Sequence, residues 1–368
     1  MVSAKTRAIV WARGAGRCYF CNELLIGDYE SGNENANFGF VAHIVSDKPG
    51  GPRGDPVRSA QLADDPANLM LMCYPHHKLI DMDELPNYPE QRLREMKAAH
   101  ERRIEILTEV GPERESHVLR YGAKIGTQES LVSFGRVRAA MLPKRYPADG
   151  RSIPIEILGS AATDGDARFW AIERGNLRSQ FDKSIRERIS SREISHLSVF
   201  ALGPMPLLIE LGRLLGDIVP VDVYQLHREP PGWAWAESGP RIEFRITRPA
   251  ERRSVVALKM GISATITDQR IIDAVGTDTS IWALDAVQPG NDVMRYQDDL
   301  AAFRRAMRGL YDEIKAFHGE GVTIHLFPAV PVSVAVEIGR VRMPKADLPL
   351  LVYDQTQGSG FVPRLEIG

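Results

Sequence analysis

The residues best suited to chemistry are gathered near the start of the chain. Cys18 and Cys21 form a Cys-x-x-Cys pair, and the third and last cysteine, Cys73, opens the run Cys73-Tyr74-Pro75-His76-His77. Three thiols and an imidazole at this spacing, Cys18, Cys21, Cys73 and His76, describe a closed tetrahedral zinc site. His43 lies between the two halves and Asn68 just before the second, so that with His77 the order is His, Asn, His. Phosphodiester cleavage needs a base to deprotonate water, a cation to offset charge on the phosphate, and a group that fixes the base's tautomer. His43 suits the base because imidazole titrates near neutral pH. Asn68 can hold the His43 ring or reach a metal through its amide oxygen. His77, one residue past His76, points to a different side of its helix and can bind a second, catalytic metal.

The elements that must position these groups follow from the pattern around them. Residues 4–15 read as a helix leading into the Cys-x-x-Cys turn, and Phe38 to Val45 alternates as a strand that leaves His43 at its end. Lys48 to Pro66, rich in Gly, Pro and Asp, reads as loop. Asn68 to Cys73 returns as a strand, and Pro75 opens a helix carrying His76, His77, Leu79, Ile80 and Asp81. The expectation for residues 1–88 is an α+β unit of two strands and a helix on a metal knuckle. Residues 8–81 resemble the HNH (ββα-metal) endonucleases of the zinc-bearing type. The resemblance implies His43 as general base, with Mg or another divalent metal for catalysis. Many members of that family carry an acidic metal ligand where this chain has Ala42, which leaves Asp47, Asp64, Asp65 and Asp81 as unranked candidates.

At 368 residues, the chain has room for two or three domains. Its 43% hydrophobic and 26% charged residues are ordinary for a globular protein, and the formal net charge is −2. The first hundred residues have no basic excess. Arg53, Arg58, Arg92, Arg94, Lys97, Arg102 and Arg103 read as a solvated face, so a nuclease of this balance needs assembly or activation before it grips a polyanion. No apolar run is long enough for a bilayer, the first residues lack a signal-peptide core, and the cysteine count is odd; a cytoplasmic protein without membrane partners is expected.

Residues 89–148 read as a helical connector and dimerisation region, with one helix over Pro89 to Thr108 and another around Ser130 to Met141. Beyond it an internal repeat sets the architecture: Phe200, Pro204, Glu210, Gly212 and Arg213 recur in register as Phe327, Pro331, Glu337, Gly339 and Arg340. Each copy runs on to a strand ending in tyrosine, Tyr224 or Tyr353. Each is preceded by a strand and a helix: Ile153 to Leu158 with Arg168 to Ile189, and Val255 to Ile262 with Tyr296 to Phe317. Two α/β units with parallel sheets are expected over 149–368, repeat one about 150–245 and repeat two about 250–368. Ligands of such sheets bind where strands end and helices begin, which points to Pro204, Met205 and Pro331. Gln225, His227, Arg228, Trp233 and Trp235 follow on a Pro/Gly loop and suit phosphate pairing and purine stacking.

This half resembles the SAVED domain, a fusion of two CARF-like Rossmannoid units that senses cyclic oligonucleotides. The likeness is carried by His196 to Ala201, Pro204-Met205-Pro206, Leu211-Gly212, Val223-Tyr224-Gln225, Arg228, Trp233, Trp235 and the second Pro/Gly/Arg copy. An HNH nuclease followed by SAVED is similar to the HNH-SAVED effectors of CBASS antiphage immunity. That resemblance implies a partner nucleotidyltransferase making a cyclic dinucleotide or trinucleotide, self-association from dimer to larger oligomer on binding it, and degradation of double-stranded DNA. Two other readings stand beside it. A restriction-type HNH nuclease with a DNA-reading second half would cut without a small ligand. A non-catalytic zinc scaffold for a nucleotide sensor would not cut at all, and the presence of both His43 and Asn68 argues against it.

Overall fold

The computed structural model describes residues 2–28, 33–128, 130, 132–156, 162–356 and 360–368. The chain divides into two units, Met1–Gly111 and Pro112–Gly368.

In the first unit, the Ser3 hydroxyl accepts from the Thr6 N–H and starts helix α1 (Ala4–Arg13). A hairpin of β1 (Ile26–Asp28) and β2 (Asn33–Asn37) precedes β3 (Gly39–His43), which pairs antiparallel with β4 (Leu69–Cys73) so that His43 lies opposite Leu69. All five residues of β4 are buried. The segment expected to be loop alone holds a short helix, α2 (Arg58–Leu62), because Asp55 caps it by accepting from the N–H groups of Val57 and Arg58. Helix α3 (Tyr74–Lys78) runs into a π-helical turn, Leu79–Asp83. Helix α4 (Glu90–Thr108) belongs to this unit and not to a connector: Leu93 sits in its core, and the buried His100 stacks on Tyr19 at 4.3 Å and donates from Nε2 to the Gly14 carbonyl at 3.2 Å.

The second unit starts well before residue 149. Strand β5 (Glu115–Gly122) is the centre of a parallel sheet, with β6 (Tyr146–Pro147) and β7 (Ile153–Glu156) on one edge and β8 (Leu197–Leu202) then β9 (Val221–Val223) on the other. Its crossovers are α5 (Phe134–Met141), the α6 (Ala167–Phe181) and α7 (Glu187–Ser190) pair joined by a π turn, and α8 (Met205–Leu215). A two-residue hairpin, β10 (His227–Arg228) with β11 (Pro231–Gly232), leads out of it. The other sheet has the order β12-β14-β13-β15-β16-β17: β12 (Phe244–Thr247), β13 (Val255–Gly261), β14 (Thr279–Ala286), β15 (Ile324–Ala329), β16 (Leu350–Thr356) and β17 (Gly360–Ile367). Its inner four strands are parallel and are joined by α9 (Asp268–Val275), α10 (Gln297–His318) and α11 (Val332–Val341). No helix among the described residues is long and apolar enough to cross a membrane.

The two sheets share one winding, β7-β5-β8-β9 against β14-β13-β15-β16. The counterpart of Val255 to Ile262 is therefore β5, and not the Ile153 strand, whose last expected residues, Ile157 and Leu158, lie outside the described residues. Register supports the match: Arg120 pairs with Phe200 and Lys259 with Phe327. Phe200 then stacks on Tyr224, and Phe327 on Tyr353, each at 4.3 Å.

Helices α8 and α11 lie against each other inside a core that draws on both sheets. A Cβ on Gly212 would come within 1.9 Å of the Val336 carbonyl oxygen, and one on Gly339 within 1.9 Å of the Ile209 oxygen. Only glycine permits that approach. Beside each glycine a fully buried carboxylate is met by arginines: Glu210 by Arg213 (2.8 Å) and Arg178 (2.6 Å), Glu337 by Arg340 (2.6 Å) and Arg304 (3.3 Å). Burial works to raise the Glu210 carboxyl, but hydrogen bonds from Arg213 and Arg178 outweigh it and hold the group below its ordinary range. Gly212→Ala and Gly339→Ala are each expected to destabilise the second unit by about 1–3 kcal/mol, since backbone must move to make room. Gly309→Ala, on an exposed stretch of α10 with nothing near its Cβ position, should instead stabilise by about 1 kcal/mol. Thermal or urea unfolding of the three variants checks the contrast.

Candidate functional site

The four zinc-type donors come together. The ligand atoms of Cys18, Cys21, Cys73 and His76 all lie within 4.8 Å of one another, and among the described residues theirs is the one group of three or more Cys, His, Asp or Glu donors gathered this way. Cys18 Sγ is 3.7 Å from Cys73 Sγ, and Cys73 Sγ is 3.0 Å from His76 Nδ1. A zinc ion at about 2.3 Å from each sulfur in tetrahedral geometry would set the sulfurs about 3.8 Å apart, so the donor set fits. Backbone bonds build the knuckle: Cys18 N–H donates to Glu23 O, Asn22 N–H to Cys18 O with Asn22 in the left-handed region (φ 61°), and Tyr19 N–H to Leu71 O, which ties it to β4. Phe20 stacks on the His76 ring at 4.1 Å and fixes its plane. Burial pushes the Cys73 thiol up to about 12, a bond from the His76 backbone opposes this, and Cys18 and Cys21 add to it. A divalent cation supplies the charge that lets such thiols ligate as thiolates.

His43, Asn68 and His77 are arranged differently from the sequence expectation. His43, at the end of β3, has Nε2 at 3.0 Å from the Ala63 carbonyl oxygen. A carbonyl can only accept, so Nε2 carries the proton and Nδ1 keeps the lone pair of a base. Asn68 does not hold this ring. It is fully buried; its Oδ1 accepts from Val45 N–H at 2.9 Å, and its Nδ2 donates to Val45 O at 2.8 Å and Leu62 O at 3.2 Å. Asn68 thus fixes the backbone just past His43 and has no amide oxygen directed to a metal.

His77 Nε2 lies 3.1 Å from Asp81 Oδ2, one helical turn on, and the Phe40 ring is 5.6 Å from its own. The structure therefore ranks Asp81 above Asp47, Asp64 and Asp65 as the acid next to the site. Burial works to raise the Asp81 carboxyl, but hydrogen bonds from His77 and Arg53 outweigh it and hold it below the ordinary carboxylate range. With Nε2 donating to Asp81, His77 keeps Nδ1 as a donor atom for a metal. The described residues gather no second group of three or more such donors. Arg53, read from sequence as a surface charge, is the residue that pattern alone missed. Its side chain is 9% exposed and bonds Ile44 O, Ile80 O and Asp81.

In the second unit, Pro204 and Pro331 are the N-caps of α8 and α11, and Met205 is the first residue of α8. Gln225 Oε1 accepts from the Ser333 N–H (3.1 Å) and hydroxyl (2.7 Å), so it caps α11 across the two halves and is committed to structure. Trp233 is corrected most clearly: it is 5% exposed and packs edge-on to Phe200 at 5.4 Å, so its face is not open for stacking. His227 is buried and neither ring nitrogen has a hydrogen-bond partner among the described residues; burial holds its pKa below the usual imidazole value. Arg228 is exposed, with its backbone N–H on Asp292 at 3.0 Å. Trp235 lines a cleft of about 320 Å³ together with Lys144, Tyr224, Arg241, Tyr296 and Gln297. An adjoining cleft of about 510 Å³ shares Arg241 and Tyr296 and adds Asp292 and Arg295. Arg241 stands over the Tyr296 ring at 4.8 Å. Cations, the carboxylates of Glu237, Asp292 and Asp298, and aromatic side chains line these clefts, with Arg241 paired to Asp298 at 3.1 Å. The signal in sequence was Arg241 itself, in Gly239-Pro240-Arg241 just past the tryptophans.

Residues 177–367 match the family model SAVED, described as the SMODS-associated and fused to various effectors sensor domain. This is more than half of the chain, and the chain belongs to that family. Among solved structures it is similar to the Acinetobacter baumannii Cap4 SAVED/CARF-domain containing receptor with the cyclic trinucleotide 2'3'3'-cAAA, at 12% identity over 75% of this chain and 61% of that one, TM-score 0.45. It is also similar to the Moraxella osloensis Cap4 SAVED/CARF-domain containing receptor, at 13% identity over 78% and 63%, TM-score 0.42. The chain thus spans about three fifths of the length of these receptors. No curated protein sequence matches it.

Purified protein is expected to carry about one tightly held zinc per chain. Cys18→Ser should abolish it and unfold the first unit while leaving the second folded. Elemental analysis with domain-resolved unfolding checks this; folded, zinc-free wild type would remove the site.

Proposed function

We propose that this chain is a DNA endonuclease governed by a cyclic oligonucleotide, acting in CBASS-type antiphage defence. The observation that carries the reading is the His43 geometry at one end of a strand pair whose other end holds a thiol-imidazole knuckle, in the same chain as a sensor-family domain. His43 Nδ1 takes a proton from water as the water oxygen attacks phosphorus; the bond from phosphorus to one ester oxygen breaks, and that oxygen leaves with a proton from solvent. The Ala63 carbonyl holds the imidazolium that forms, and Asn68 keeps the strand end from shifting. Zinc in the knuckle would supply folding energy to a unit whose apolar core is small. A divalent ion such as Mg, when bound at His77, would offset charge on the phosphate oxygens.

The activator belongs in the two adjoining clefts around Arg241 and Tyr296. A cyclic dinucleotide or trinucleotide presents phosphates to Arg241, Arg295 and Lys144, and a base face to the half-buried Trp235. A partner nucleotidyltransferase would supply it. Self-association of the bound form would place first units of several chains on one double-stranded DNA, which fits a formal net charge of only −2 and no basic excess in the first hundred residues.

Plasmid cleavage against a panel of cyclic dinucleotides and trinucleotides, 2'3'3'-cAAA among them, tests the reading. Wild type should be inert alone and cut with one compound, while His43→Ala still binds that compound and loses about 10²- to 10⁴-fold in rate. Cutting that ignores every ligand favours the restriction-type reading. Ligand binding with no cutting by wild type favours the zinc scaffold.

A further inference from the structure

We infer that Arg53 is the positioning residue that holds His43 and His77 in a fixed relation, an inference that deepens the nuclease reading and rests on it. Arg53 lies in the run Pro49-Gly50-Gly51-Pro52-Arg53-Gly54, where a solvated charge is the ordinary expectation. Its backbone is instead left-handed, at φ 54°, a conformation unfavourable to a non-glycine residue that persists only when other contacts demand it. Those contacts are made by its guanidinium. Nε donates to Ile44 O at 2.6 Å, and Nη1 to Ile80 O at 2.8 Å. Nη2 donates to Asp81 Oδ1 at 2.5 Å and reaches the His43 carbonyl oxygen at 3.4 Å.

The groups so joined are the two sides of the candidate site. His43 O and Ile44 O belong to the end of β3 that carries the base; Ile80 O and Asp81 belong to the π turn that follows His77. Asp81 divides its carboxylate, one oxygen to Arg53 and the other to His77 Nε2. Fixing that carboxylate fixes which His77 nitrogen is protonated, and so leaves Nδ1 to face a cation or phosphate. A planar fork of five N–H donors can serve carbonyls on one element and a carboxylate on another at once; a lysine ammonium is a single point and cannot. Arg53 touches no reacting atom, so its effect should pass through the placement of His43 and His77.

The test uses the full chain with the activating cyclic nucleotide. Arg53→Ala and Arg53→Lys are compared with wild type for zinc content, melting temperature, kcat and KM on supercoiled DNA, and hydrolysis of bis(p-nitrophenyl) phosphate. Misplacement by about an ångström costs on the order of 10²-fold, so kcat should fall about that much on both substrates, with KM for DNA little changed and zinc retained. Lysine should recover little of the loss. Added guanidinium ion should restore about 10-fold to Arg53→Ala and nothing to His43→Ala, a difference that a merely structural role would not give. If Arg53→Ala loses its fold, Arg53→Lys decides: full activity overturns the inference, and a folded, zinc-loaded, slow enzyme supports it. A rise in KM alone overturns it in favour of direct phosphate contact. Wild type that cuts neither substrate with any ligand overturns the nuclease reading together with this one, whereas wild type that cuts and is matched by both variants overturns this one alone.

Discussion

The contact on which the second unit depends is the approach of two helices to the distance that only glycine allows. Gly212 on α8 faces the Val336 carbonyl, and Gly339 on α11 faces that of Ile209. Because these positions are equivalent in the repeat, the contact is reciprocal, and it sets the β8–α8 and β15–α11 turns side by side. Gln225 then reaches from the first half to cap α11 in the second. The buried Glu210 and Glu337, each enclosed by arginines, would be costly in the core if either lost its cations. Close backbone packing and paired buried charge together hold the two halves as one unit.

The first unit is organised on another principle. Its core cluster is small, and its form is set by polar contacts to the backbone: Asn68 on Val45 and Leu62, His43 on Ala63, Arg53 on three carbonyls. The thiol and imidazole knuckle closes the unit from the other side, with Tyr19 bonded to β4 and stacked on His100 of α4. A unit with so small an apolar cluster leans on hydrogen bonds to its own backbone.

What was legible in the sequence was whatever depends on residue type and local spacing. Cysteine and histidine at knuckle spacing announce a metal set because few other roles need those donors together. The Glu-x-Gly-Arg repeat was legible because buried helices packed on one another tolerate little drift. Strand β5 escaped because the helix and irregular segment after it separate it from β7, so only Leu119-Arg120-Tyr121-Gly122 against Leu258-Lys259-Met260-Gly261 signalled the match. Side-chain partners were the least legible. Whether Asn68 holds an imidazole or a backbone, whether Trp233 meets solvent or Phe200, and whether Arg53 is a surface charge or a clamp all depend on contacts distant in sequence. Residue type names the donors; only the fold says what receives them.

In the proposed function a cyclic oligonucleotide occupies the clefts beside Arg241 and Tyr296 and governs the protein from there. Calorimetric titration of cyclic dinucleotides and trinucleotides into wild type, Arg241→Ala and Trp235→Ala, with light scattering on the same samples, tests it most directly. One compound should bind wild type and enlarge its mass, with affinity lost by about 5- to 150-fold in each variant if a stacking or phosphate contact worth roughly 1–3 kcal/mol is removed. Binding by no compound, or binding that both substitutions leave unchanged, would contradict it.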